Sequence, residues 1–199
     1  MKKIIVAALF GLFVFSGLAQ KKVLWIGNSY TAVNNLPSLT NQLANSLNDN
    51  IEFDSNTPGG SSFQQHANNS VTYQKIHSND WDVVILQAQS QEPAFPDAQV
   101  ETETYPYAKQ MNDSIQDILT CAETMFYMTW GRENGDSQWE PISTFEGMNE
   151  RLENAYIQMA NDNDASVAPV GVAWKYVRDH YPSINLYSGD GSHPSFAGS

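Results

Sequence analysis

Val23-Leu24-Trp25-Ile26-Gly27-Asn28-Ser29-Tyr30-Thr31 is the stretch on which the reading of this chain turns. Four apolar residues run without a break, and a glycine and an asparagine then hand over to a polar, helix-competent segment. A short continuous apolar run fits a strand covered on both faces, as in a parallel sheet. Ser29 then falls where that strand turns into a helix. In an open α/β sheet, ligands gather at the carboxyl ends of the strands. Serine there has two readings. It is a common helix N-cap, or it is a nucleophile beside helix N-terminal amides that can hold an oxyanion.

The same alternation continues outward from this stretch. Strands are expected over 22–27, 51–55, 81–87, 124–130 and 166–170. Helices are expected over 36–47, where Leu36, Leu39, Leu43 and Leu47 share one face, and over 63–76, 105–119, 144–161 and 172–180. Residues 88–104 and 131–143 read as long polar connections, a length that tends to be functional in a compact domain. Strand alternating with helix implies a parallel sheet between helices.

The chain has 199 residues, enough for one domain with a sizeable core. Residues 1–19 read as a secretory signal peptide: a basic start, an apolar run from Ile4 to Leu18, and a small-x-small site before Gln20. The run is short for a membrane span. The mature domain is then 20–199, and the expected location is secreted or periplasmic. The formal net charge is −12, and it becomes −14 once Lys2 and Lys3 leave with the leader. Such a charge argues against nucleic acid or an anionic membrane as partner and favours a neutral or weakly charged substrate. Cys121 is the single cysteine, so no intramolecular disulfide forms; it reads as a buried core thiol.

Near the other end stands Gly189-Asp190-Gly191-Ser192-His193-Pro194. A D-x-x-H spacing lets one loop carry both an imidazole and the carboxylate that orients it toward a serine elsewhere. Turn formation explains the glycines and Asp190, but not His193. The G-x-S-x-G elbow of the α/β-hydrolases is absent around Ser29. His66 and His77 read as helix-face or surface histidines. No His/Cys/Asp cluster has metal spacing, and neither metal nor cofactor is needed for this chemistry. Gly59-Gly60 is not followed by the Lys-Ser or Lys-Thr of a phosphate loop.

Taken together, these blocks resemble the SGNH hydrolases of the GDSL esterase/lipase superfamily. Ile26-Gly27-Asn28-Ser29-Tyr30-Thr31 is similar to the nucleophile block, with asparagine where aspartate is more usual. Pro58-Gly59-Gly60-Ser61 stands where the family has its oxyanion glycine, and Asp190 with His193 stand where it has its last block. The third block is usually G-x-N-D; here it is Gln87-Ala88-Gln89-Ser90, which puts Gln89 at the asparagine position. The resemblance covers the mature domain and implies a three-layer α/β/α sandwich, flavodoxin-like, with a five-stranded parallel sheet. It implies a carboxylic ester hydrolase with Ser29, Asp190 and His193 catalytic. The oxyanion donors would be the Ser29 amide, the Gly60 amide (Gly59 being the alternative) and the Gln89 side chain.

Asn28, Trp130 and Arg132, with Trp139, are candidate substrate-binding residues, and aromatic walls suit sugar rings; Trp130 in the core and Trp139 covering a loop is the equal alternative. O-acetyl groups on a glycan are the expected substrate class by analogy. The competing expectation is a non-catalytic glycan-binding module on the same fold. Family members continue past the histidine into a helix that packs on the sheet, whereas this sequence stops at Ser199, six residues after His193. Either it is a fragment or that helix is missing, and in the second case the loop loses a support. Oligomeric state is not legible.

Overall fold

The computed structural model describes residues 20–199; the expected signal peptide lies outside the described residues. Five strands, β1 (Lys21–Ile26), β2 (Ile51–Asn56), β3 (Val83–Leu86), β4 (Glu123–Tyr127) and β5 (Ser166–Ala168), form one sheet in the order β2-β1-β3-β4-β5. Every pairing is parallel, with Trp25 beside Ile85 and Ile26 beside Leu86 in register. The α/β class and the five-stranded parallel sheet expected from the sequence are both observed. The order reverses between β1 and β3, so the loops after these two strands diverge and leave a crevice at their carboxyl ends.

Among the described residues eight α-helices connect and cover the strands: α1 (Ser29–Ala32), α2 (Leu36–Ser46), α3 (Phe63–Ala67), α4 (Ser70–Ile76), α5 (Asp97–Glu103), α6 (Tyr105–Ile118), α7 (Phe145–Asp162) and α8 (Val170–His180). Alternate strand residues serve opposite faces, as the pleat requires. Leu24, Ile26, Val84, Leu86 and Phe126 pack on one face against Phe63, Ile76, Met111, Ile115, Met148 and Leu152. Val23, Trp25, Ile85 and Tyr127 pack on the other with Tyr30, Leu36, Trp130 and Trp174.

Four local expectations differ from what is observed. The helix expected over 63–76 is two helices, because Asn68 and Asn69 leave the helical path and the Asn69 side chain accepts from the Val71 amide to start α4. The connection 88–104 contains α5, entered at Pro96 and holding a single buried residue, Val100. The leucine face expected on α2 is only partly used: Leu36 is buried, while Leu43 is 64% and Leu47 72% exposed. Cys121 lies exposed in the turn before β4, not in the core, since the apolar run that suggested burial starts one residue later at Ala122.

The packing predicts a contrast measurable by urea denaturation. Phe126→Ala should cost about 3–5 kcal/mol, since the ring is fully buried between strand and helices. Leu43→Ala, two turns along the face expected to be core, should stay within about 0.5 kcal/mol.

Candidate active site

The turn after β1 is held by buried polar groups. A Cβ on Gly27 would lie 2.6 Å from Gln87 Oε1 and 2.8 Å from Thr31 Oγ1, so only glycine fits. Gln87 Oε1 accepts from the Asn28 amide at 2.9 Å and from the Thr31 hydroxyl at 2.9 Å. Asn28 caps α1, its Oδ1 accepting from the Tyr30 amide at 3.0 Å. Asn28 Nδ2 donates to the Ser61 carbonyl at 3.1 Å and to the Ala88 carbonyl at 3.4 Å. One side chain thus ties together the loops that follow β1, β2 and β3. Beneath them His66 Nε2 lies 2.8 Å from the Gly27 carbonyl, and Nδ1 lies 3.0 Å from Thr72 Oγ1. A carbonyl only accepts, so Nε2 carries the proton, and Nδ1 accepts from the Thr72 hydroxyl. Burial holds this imidazole below its ordinary value, against the opposing effect of the Gly27 carbonyl.

Ser29 is the first residue of α1 and is partly exposed, so its hydroxyl and its amide both face the crevice end. Its Oγ is 2.9 Å from His193 Nε2, and His193 Nδ1 is 2.5 Å from Asp190 Oδ2. Asp190 Oδ1 also accepts from the Ser188 hydroxyl at 2.8 Å and from the Ser192 and His193 amides, both at 2.9 Å. The bond from His193, with these others, holds the carboxyl well below the usual carboxylate range. An ionised carboxylate only accepts, so Nδ1 keeps its proton and Nε2 turns its lone pair to the Ser29 hydroxyl. That is the tautomer a general base needs.

Gly60 sits at the exposed tip after β2 with φ +71°, the third residue of a Pro58–Ser61 turn whose hydrogen bond is donated by the Ser61 amide. Gln89 is anchored by its acceptor end: Oε1 accepts from the Gln91 amide at 2.8 Å and from the Glu92 amide at 3.1 Å. Its Nε2 has no protein partner among the described residues. A cavity of about 560 Å³ among Pro93, Asp97, Tyr105 and Arg151 does not include Ser29 and holds no nucleophile-base pair.

No family model matches this sequence, and no curated protein is significantly similar to it. Solved structures are. A DUF4886 family protein from Bacteroides uniformis superposes with a TM-score of 0.74 at 16% identity, over 88% of this chain and 76% of that one. A lipase/acylhydrolase from Enterococcus faecalis gives 0.61 at 15% identity, over 90% and 89%. A variant of an acetyl xylan esterase from Geobacillus stearothermophilus gives 0.60 at 15% identity, over 89% and 88%. The chain has the SGNH hydrolase fold.

Within this SGNH scaffold the structure brings Ser29, Asp190 and His193 together, 164 residues apart in sequence at the serine-histidine contact. It corrects two of the three candidate substrate-binding residues, Asn28 and Trp130. Asn28 is 2% exposed with its side chain spent on the protein, so it shapes the turn and does not meet a ligand. Trp130 is fully buried, stacked between Tyr30 and Trp174 at centroid distances of 4.7 and 4.0 Å, and is a core residue. Arg132 is ion-paired with the buried Asp136 at 3.0 Å, and its side chain is still 33% exposed. Trp139 lies under the Arg151 guanidinium at 4.6 Å, covering a loop. Gln87 and His66 were not legible as site residues. Only one weak signal pointed to His66, its spacing with Phe63 and Ala67 on the buried face of α3.

His66 makes the SGNH core pH-sensitive. The unfolded chain takes up this proton near pH 6.5 and the folded protein only lower. Stability should therefore fall as pH drops below 6.5, by up to about 1.4 kcal/mol per pH unit. Urea titrations between pH 7.5 and 5 should show a shallower slope for His66→Gln than for the wild type; equal slopes would mean that His66 titrates freely.

Proposed function

We propose that the protein is a serine esterase acting on carboxylic esters through an acyl-enzyme. The observation that carries this reading is the unbroken Ser29–His193–Asp190 hydrogen-bond chain, in the productive tautomer, at the carboxyl end of β1. The likeness to a lipase/acylhydrolase and to an acetyl xylan esterase supports it at the level of fold.

Ser29 Oγ attacks the ester carbonyl carbon while His193 Nε2 takes the hydroxyl proton. The Asp190 carboxylate stabilises the imidazolium so formed. The carbonyl oxygen becomes an oxyanion, met by the Ser29 and Gly60 amides and by Gln89 Nε2. Collapse breaks the bond to the alcohol oxygen, which leaves with the proton from His193. Water then attacks the acyl carbon and gives a proton to His193; the bond to Ser29 Oγ breaks, His193 Nε2 returns that proton to Oγ, and the acid leaves. Every atom is supplied by ester, water and these side chains.

The substrate class we propose is an O-acetylated glycan. Three features support it: the partly exposed serine at an open end of the sheet, the acidic chain, and a leader that suits export to where such polymers lie. One of the similar structures is an acetyl xylan esterase. The alternative is a glycan-binding module that keeps the fold without the reaction.

Acetate release from an aryl acetate tests the reading. Ser29→Ala should lower turnover by about four to six orders of magnitude; equal rates for both proteins would leave only the binding module. Gln89→Ala should lower kcat by about 10²–10³, the usual loss for one oxyanion donor. Unchanged turnover would remove Gln89 from the site.

A further inference from the structure

The loop that carries the acid-base pair is exposed, and Asp190 itself is half open to water. Something must keep His193 on Ser29. From outside the loop, Ser192, the residue before His193, is gripped twice. Its hydroxyl is 2.5 Å from the Tyr30 hydroxyl, and its carbonyl accepts from Trp130 Nε1 at 3.1 Å. The Glu133 amide donates to the Gly191 carbonyl at 2.8 Å, and the Ser188 amide to that of His193 at 2.8 Å.

We propose that Tyr30 is a positioning residue, whose buried hydroxyl clamps Ser192 and so sets the His193 imidazole on the adjacent Ser29. The proposal rests on the esterase reading above.

Three observations carry it. First, Tyr30 adjoins Ser29 in α1, so the nucleophile and the clamp belong to one rigid unit. Second, the phenol cannot swing. It is 2% exposed and lies flat on Trp130 at 9°, which lies flat on Trp174 at 7°, which meets Tyr187 edge-on at 4.8 Å. Third, the Tyr30 ring lies edge-on to His193 itself, with centroids 5.2 Å apart. The ring therefore limits the imidazole from the side while the hydroxyl holds the residue before it. Burial pushes the phenol above its ordinary value, so it remains protonated and able to donate. A misplacement of about 1 Å at reacting groups can cost about 10²-fold.

Tyr30→Phe keeps the stack and removes one oxygen; Ser192→Ala removes the partner from an exposed loop and leaves the core untouched. Each should lower kcat on the aryl acetate by about tenfold to a hundredfold with KM unchanged, and the double variant should be no slower than the slower single one. Independent of turnover, the His193 Nδ1 proton facing Asp190 should give a sharp downfield NMR resonance in the wild type, broadened in both variants. Wild-type kcat with an unaltered resonance in both variants would overturn the clamp, as would losses that multiply in the double variant. A wild type with no Ser29-dependent hydrolysis would overturn the esterase reading instead, and the resonance would still decide the clamp.

Discussion

Everything at the carboxyl edge of the sheet depends on polar groups that have no water to fall back on. Asn28, Gln87 and His66 are buried, and each spends its hydrogen-bonding capacity on the backbone or on a neighbouring side chain of a loop leaving a strand. A buried donor or acceptor left unpaired costs about 1–3 kcal/mol. The three residues therefore define one arrangement of the loops after β1, β2 and β3, because any other strands several groups at once. Such a network specifies geometry more than it adds net stability. Ser29 inherits that geometry. Its own side chain is free to meet the crevice because its neighbour does the capping.

The other half of the site is built on the opposite plan. The loop from Ser188 to His193 is partly exposed, with Gly189 and Asp190 open to water, where hydrogen bonds to water compete with those to protein. It is organised by one carboxylate with several donors converging on it: Asp190 draws in the Ser188 hydroxyl, two amides and the imidazole. Charge-assisted bonds of this kind are about twice as strong as neutral ones, which suits a loop without a core of its own. The aromatic column behind it, from Tyr30 through Trp130 and Trp174 to Tyr187, supplies the stiff surface that the loop rests on.

The readable features of the sequence share a physical cause. Parallel strands buried on both faces write themselves as unbroken apolar runs, so β1 and β3 were plain. An unbroken apolar run handing over to a polar, helix-competent segment marks Ser29; and a histidine within a run of turn formers has no purely local reason to be there. Residues whose role depends on partners distant in sequence did not show. Gln87 follows the last residue of β3 and reads in sequence only as the end of a strand; the fold sets its carboxamide under Asn28, 59 residues away. Trp130 looked like a pocket wall for the same reason: a large aromatic at a strand end is equally suited to wall or core, and the neighbours that decide it, Tyr30 and Trp174, come from both ends of the chain. Helix α2 shows the reverse case. Its leucine periodicity is genuine, yet periodicity states only which residues share a face, not whether anything covers it.

The serine-histidine contact spans 164 residues, nearly the length of the described chain. Among the described residues all five sheet strands are in place by Ala168, so the loop with Asp190 and His193 lies outside the sheet's own pairing. Docking of residues 186–199 then becomes a local equilibrium laid over a finished scaffold, with a free energy smaller than that of global unfolding. In that scheme the Ser29 hydroxyl lacks its histidine partner whenever that segment is open. Such an opened state keeps its core and its sheet while the contact between Ser29 and His193 is broken.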